Sequence, residues 1–135
     1  MIKVDAAELL ALRTRLQDLS EKVGKKAVRQ AARRAMVPVR DEVKARAPED
    51  LTDDDGVKLK ANVALTTRWR GGTLYTRVGI RGGAKKNPNT PYYFRFHEFG
   101  TKDMPARPFM APALESNAQQ IIDTVTAELK KALGL

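Results

Sequence analysis

The chain has 135 residues, 42% of them hydrophobic, and a formal net charge of +9. This length and composition suit one domain with a real core, and no stretch approaches the roughly eighteen consecutive apolar residues of a membrane span. The absence of cysteine excludes disulfides, thiolate chemistry and cysteine-based zinc sites, and fits folding in a cytoplasmic compartment. The first residues lack the apolar region of a secretory signal, so no secretory signal is expected.

The positive charge lies in two regions that an acidic stretch separates. Residues 1–47 carry twelve basic and six acidic side chains, and residues 57–110 carry eleven basic side chains with two acids, Glu98 and Asp103. Between them, residues 48–56 hold five acids and no base. A basic protein is expected to meet a polyanionic partner. This arrangement suits nucleic acid, and it equally suits self-assembly of basic faces onto acidic neighbours.

The N-terminal region predicts a helix over about 5–22. Asp5 followed by Glu8 has the form of a capping box. Apolar residues then recur at helical spacing and form one stripe. The stripe consists of Leu9, Leu12, Leu16 and Leu19. Gly24 is the expected C-terminal glycine of this helix.

A second helix is predicted over about 25–46, with one buried side and one basic, solvated side. Its buried side consists of Val28, Ala31, Ala35, Val39 and Val43. Pro38 lies inside this pattern and lacks a backbone N–H, which predicts a kink or a break there. Pro48 is expected to end the helix, because a residue that precedes proline avoids the helical region.

Two strands are predicted over about 57–67 and 73–81, because apolar and polar residues alternate strictly in both. The pair Gly71-Gly72 predicts a hairpin between them. The segments Pro48–Gly56 and Arg81–Pro91 read as loops of opposite charge. We expect both loops to be mobile in a free subunit and to contact adjacent subunits in an assembly.

An aromatic run over about 92–98 predicts a third strand, with a short helix as the alternative. As a strand, it would place Tyr92, Phe94, Phe96 and Glu98 on one face and Tyr93, Arg95, His97 and Phe99 on the other. A C-terminal helix is predicted over about 112–132, with Pro112 at a first helical position. The fold class is therefore α+β: a single domain, 1–135, whose antiparallel sheet of three to four strands is flanked by two N-terminal helices and one C-terminal helix.

Residues that could carry catalysis are scarce. His97 is the only histidine, so a multi-histidine metal site cannot form. On a strand, His97 and Glu98 would point to opposite faces and could not share a nuclease site. We therefore expect no catalytic residues, no metal and no cofactor, and the chain is not expected to be an enzyme.

Trp69 lies between Arg68 and Arg70 and admits two interpretations. It could be a platform on which nucleic-acid bases stack, or it could fold back over the sheet with the arginines as solubilising neighbours. The first interpretation supports the alternative function that composition suggests, a basic nucleic-acid-binding module or a nuclease.

Two linked motifs follow the aromatic run: Glu98-Phe99-Gly100-Thr101 and Pro105-Ala106-Arg107-Pro108-Phe109-Met110-Ala111-Pro112-Ala113. Gly100 suits a turn that ends the aromatic segment, and the prolines stiffen the second motif. Phe109 and Met110 then form an anchor, placed either in the core of this chain or in the groove of a neighbour. Glu98 is expected to pair with an arginine, either Arg95 or Arg107.

These motifs, with a leucine-striped helix and a basic helix ending in Ala47-Pro48 upstream, resemble the small neck or tail-completion proteins of long-tailed lambdoid phages and prophages. The resemblance implies a structural protein of the virion neck, made in the bacterial cytoplasm, that forms a homo-oligomeric, six-fold ring. Its partners would be head-completion or connector proteins and tail-tube proteins, with transient contact to DNA in the lumen and no membrane. The expected assembly-interface residues are Tyr92, Tyr93, Phe96, Glu98, Phe99, Gly100, Arg107, Phe109 and Met110.

Overall fold

The computed structural model describes residues 2–47, 60–81, 94–103 and 105–135. The two predicted loops, apart from Arg81, and Tyr92 and Tyr93 lie outside the described residues. The longest element is a helix, α2, over Glu21–Arg46, and the other described elements pack around it. Helices and an antiparallel sheet are both present, so the predicted α+β class is confirmed.

The first helix, α1, spans Ala6–Gln17 and ends earlier than predicted. Asp5 caps its N-terminus, and the carboxylate accepts the backbone N–H of Glu8 at 3.1 Å. The boundary with α2 lies at Ser20, whose hydroxyl accepts the N–H of Val23. A serine side chain can satisfy a free N–H of the first turn, so α2 begins before Gly24 rather than after it.

Helix α2 runs unbroken through Pro38, so, of the kink or break predicted there, the break is absent. Its buried face consists of Ala31, Ala35, Val39 and Val43, four of the five residues predicted for it. These residues recur every fourth position, and the packing on both sides of Pro38 compensates for the one missing backbone hydrogen bond. The small alanines let the C-terminal helix approach closely.

Strands β1, Val63–Arg70, and β2, Thr73–Ile80, form one antiparallel hairpin. Gly71 and Gly72 connect them with φ angles of 53° and 81°, the two positive values that a tight two-residue hairpin turn requires. The second strand lies where it was predicted. The first begins later, after a short 3-10 turn over Lys60–Asn62, and continues through the Arg-Trp-Arg stretch.

The strand predicted over 92–98 is wrong in its described part, because Phe94–Phe99 form a short helix, α3. The sheet therefore has two strands among the described residues, not three or four. In a helix, residues four apart share a face, so Phe94 and Glu98 turn inwards together while Arg95, Phe96 and Phe99 are exposed. Within the described residues 94–99, the two aromatic faces expected from strand alternation are absent.

The predicted C-terminal helix is two helices, α4 over Met110–Ser116 and α5 over Ala118–Ala132. Asn117 separates them, and its buried side-chain amide donates to the carbonyl oxygen of Ala113 at 2.7 Å. Pro112 lies in the first turn of α4, as its missing N–H permits, although not at the first position.

Two hydrophobic clusters hold these elements together. One joins the C-terminal half of α2, the hairpin and α4, and consists of Val39, Val43, Ala47, Val63, Phe109 and Ala113. The other joins α1, the N-terminal half of α2 and α5, and consists of Leu12, Ala31 and Leu129. The first cluster is the one that supports the motif region.

Candidate functional site

The carboxylate of Glu98 joins the two motifs. It accepts three backbone N–H groups, from Phe109 and Met110 through Oε2 at 2.8 and 3.0 Å, and from Ala111 through Oε1 at 3.0 Å. The side chain is only 8% exposed. A buried carboxylate is costly unless hydrogen bonds compensate it, and here three donors do so. Glu98 therefore fixes α3 to the start of α4.

This arrangement satisfies every free donor in the first turn of α4. Phe109 is the N-cap residue and offers no side-chain cap, so the helix lacks the usual serine, threonine or aspartate acceptor. Glu98 takes the N–H groups of the cap and the next two positions, and Pro112 has none to offer. The negative carboxylate also lies at the positive end of the helix dipole.

The arginine pairing predicted for Glu98 is wrong. Neither Arg95 nor Arg107 lies within ion-pair distance of it; Arg107 is exposed, and the guanidinium of Arg95 lies over the ring of Phe94, 6.0 Å from its centroid. The sequence predicts an oppositely charged side chain as the partner of Glu98, whereas its partners are backbone N–H groups. The available signal was a helix start with an apolar N-cap residue, which requires an acceptor from elsewhere in the chain.

Phe109 lies in the core of its own chain. Its side chain is 2% exposed and packs among Val39, Val43 and Val63. Met110, half-buried, packs against the same cluster. Of the two placements left open for this anchor, the structure shows the internal one.

Gly100 ends α3 with a left-handed turn at φ 76°. Its N–H donates to the carbonyl oxygen of Phe96 at 2.9 Å. The next residues lead away from the helix, and Pro105 and Pro108 are exposed before Phe109 enters the core. The glycine therefore has the turn role that the sequence predicted for it.

Two of the predicted interface aromatics lie on the surface of α3. Phe99 is 76% exposed and Phe96 is 46% exposed. Phe99 borders an open groove of about 610 Å³ between β2 and α3, together with Ile80 and Met110. Exposed aromatic side chains beside a rigidly held turn are typical of a contact surface.

Among residues 2–47, 60–81, 94–103 and 105–135, no three histidine or acidic side chains gather where a metal ion could bind. Nothing is described of the His97 side chain. Within the same ranges, no helix is long and apolar enough to cross a membrane.

Trp69 lies on the inner side of the hairpin, which fits the interpretation in which it folds back over the sheet. The ammonium of Lys25 on α2 lies 5.4 Å from the centre of its ring. Lys25 also binds Glu21 at 2.9 Å, and this hydrogen bond and the lysine charge hold the pKa of Glu21 below its usual value. The exposed aromatic of the hairpin is Tyr75 instead.

Comparison with known protein families gives a match. The profile of a protein family described as "Bacteriophage HK97-gp10, putative tail-component" matches residues 11–100. The matched segment runs from α1 to Gly100, so it includes Glu98 and ends before Phe109. Searches among curated proteins and among solved structures found no match. Since the match spans well over half of the 135 residues, the chain belongs to the HK97-gp10-like family of bacteriophage tail components, which are structural proteins of the virion.

Proposed function

We propose that the chain is a neck or tail-completion protein that forms a ring, six-fold as the resemblance implies, between the head connector and the tail tube. The observation that carries this proposal is the Glu98 contact, because it makes one rigid unit of the two motifs on which the resemblance rests. Membership of a tail-component family supports a structural role in the same part of the virion.

The surface around this unit supports assembly. Glu98 and Phe109 are buried and hold α3 in place, while Phe99 next to them is exposed. A large aromatic side chain on a preorganised support loses little entropy when it docks, which makes it a good interface anchor. Phe96, Phe99 and Arg107 are therefore the interface residues that the proposal retains, with Tyr92 and Tyr93 as further candidates. Glu98, Gly100, Phe109 and Met110 position them.

One observation favours a second candidate function, a basic nucleic-acid-binding module. The outer face of the hairpin exposes Arg68, Arg70 and Arg77 around Tyr75. The arginines can bind a phosphate backbone, and the exposed aromatic ring between them can stack on a base. Within the proposed ring, such a face could equally touch DNA in the lumen.

The proposal is tested by deleting the gene from the phage or prophage that encodes this chain and viewing the lysate by electron microscopy. Loss of a neck protein should leave filled heads and separate tails, and supplying the wild-type chain from a plasmid should restore joined particles. Normal infectious particles in the deletion strain would refute the proposal. Normal particles combined with DNA binding that weakens steeply with salt would support the second candidate instead.

A further inference from the structure

An open apolar groove lies between α1, the start of α2 and the turn of the hairpin. Its volume is about 680 Å³. The large apolar side chains that form its walls are Leu9, Leu12, Leu16, Val28, Trp69 and Leu74, and we call them the leucine groove. A cavity of about 150 Å³ already accommodates a benzene ring. The leucine groove therefore has room for a phenyl side chain together with the backbone that carries it.

Two polar groups of this groove favour an occupant that brings oxygen atoms. The indole nitrogen Nε1 of Trp69 is buried and has no hydrogen-bond partner within the part of the chain that the structure describes. A buried donor without an acceptor costs free energy. Arg13 borders the groove, and no described carboxylate pairs with its guanidinium group. Carbonyl or carboxylate oxygens on the occupant would stabilise both groups.

A side chain that suits the leucine groove lies elsewhere on the same molecule. Phe99, at the end of α3, is the most exposed of the large hydrophobic residues that the structure describes. The carbonyl oxygens of Phe99 and Gly100 accept no hydrogen bond within the described chain, and the end of a helix carries partial negative charge. Asp103 is exposed and has no described cationic partner. We call Phe99, Gly100 and Asp103 the aromatic corner.

We propose that the aromatic corner of one copy docks into the leucine groove of the next copy, with the ring of Phe99 among the leucines. Nε1 of Trp69 would then donate to a carbonyl oxygen of the corner, and Arg13 would pair with Asp103. The proposal rests on the homo-oligomer of the proposed function, and it names the two surfaces that form the contact.

The aromatic corner lies too far away to fill the groove of its own chain. The groove meets α2 between Ser20 and Val28. The corner is held at the other half of α2, because Glu98 bonds to Phe109, which packs against Val39. From Val28 to Val39 is about 17 Å along the helix axis. To reach its own groove, α3 would have to give up the hydrogen bonds that Glu98 makes to α4.

The two surfaces differ from each other, so the contact is heterologous. A head-to-tail contact of this kind repeats from copy to copy and closes into a ring when the rotation permits. The ring of Phe99 enters with little loss of entropy, because the Glu98 contact already fixes α3.

Cross-linking in assembled particles tests the contact. The chain has no cysteine, so introduced thiols are unique. Thr101→Cys places a thiol beside the aromatic corner, and Thr73→Cys places one at the edge of the leucine groove, since both threonines are exposed and Thr73 borders the groove. The variants are supplied to the gene-deletion strain, and purified joined particles are treated with a short bis-maleimide. A denaturing gel then separates the products.

The two single variants supplied together should give a linked pair of chains, because each contact between them holds one thiol from each copy. A chain that carries both substitutions should give a ladder of longer products. Either single variant supplied alone should remain a single chain. A linked pair from the mixture cannot arise within one copy.

A substitution inside the groove gives an independent readout. Leu9→Glu should yield at least about tenfold fewer joined particles than wild type, because it places a charge against the docked ring. Leu10→Glu is the matched control, since Leu10 is the next residue of α1 and is exposed outside the groove. It should yield as many joined particles as wild type. Thermal unfolding checks that both variants are folded, and Leu74→Glu, on the opposite wall, replaces Leu9→Glu if that variant unfolds.

Several results would overturn the inference. Joined particles that contain both single variants but no linked pair would do so, as would folded groove variants that join particles as well as wild type does. Linkage of the Thr73→Cys chain to a different virion protein would assign the groove to that partner. Each of these results leaves the proposed function standing. Absence of the chain from joined particles would refute the proposed function, and the inference with it.

Discussion

At the scale of single residues, the motif depends on one carboxylate whose partners are backbone groups. Glu98 holds three N–H groups of α4, and Phe109 beside them fills the core. The two residues have different roles, because Glu98 orients the segment by hydrogen bonds and Phe109 holds it by burial in the core. Their contributions can be measured separately.

Glu98→Gln should lower the free energy of unfolding by about 1–3 kcal/mol. The amide has only one acceptor oxygen, and its NH₂ group would face a backbone N–H donor of α4. Glu115→Gln, an exposed acid on α4, is the control and should change stability by less than about 0.5 kcal/mol. Urea unfolding followed by circular dichroism measures both. Equal stability of the two variants would show that the Glu98 contact does not hold the segment.

Phe109→Ala should cost about 3–5 kcal/mol, because it leaves a cavity among Val39, Val43 and Val63. Phe99→Ala removes a side chain that is 76% exposed and should stay within about 0.5 kcal/mol of wild type. Complementation of the gene deletion tests the interface role of Phe99. Phe99→Ala protein should be folded but should give fewer joined particles than wild type. Wild-type joining by Phe99→Ala would remove that ring from the interface.

At the scale of elements, the sequence predicts the helices and strands whose apolar residues recur with a strong period. The i, i+4 spacing from Ala31 to Val43 marked the buried face of α2, and strict alternation marked β2. The turn at Gly71-Gly72 was visible because few residue pairs accept two positive φ angles. In these elements the local sequence pattern determines the structure, so the pattern alone predicts them.

The elements that were missed depend on distant contacts. Aromatic residues favour strands, so the sequence predicts a strand over about 92–98. In the described part, Phe94 and Glu98 turn inwards towards α4, and this favours a helix over Phe94–Phe99. The interruption at Asn117 follows from its buried hydrogen bond to Ala113. The sequence predicts the interface candidates as one continuous stretch. It does not predict which of them are buried, because interface anchors and core residues have the same amino-acid composition.

The hairpin turn gives a prediction at this scale. Gly72→Ala should destabilise the protein by about 1–2 kcal/mol, because a side chain at φ 81° crowds the backbone. Gly79→Ala is the matched control in the same hairpin, where an added Cβ meets nothing within 4 Å and φ is not in the left-handed range. It should be neutral or slightly stabilising. If Gly72→Ala unfolds at the same urea concentration as wild type, the turn does not constrain the hairpin.

At the scale of the whole molecule, a small core supports surfaces suited to contact. Helix α2 carries the hairpin, α4 and α5 on its buried face, and the Glu98 contact adds α3 to them. The resulting surface displays Phe99 at one place and the exposed arginines of the hairpin, Arg68, Arg70 and Arg77, at another. Surfaces of this kind suit contact with other virion proteins, which agrees with membership of a tail-component family.

The central claim is a position in the virion, and immunogold labelling of purified particles tests it most directly. Antibodies against the chain, applied to intact virions and viewed by electron microscopy, should place gold at the junction of head and tail. Particles from the deletion strain, complemented with an epitope-tagged chain, control for antibody specificity. Label along the tail, label at its far tip, or no label on joined particles would contradict the account.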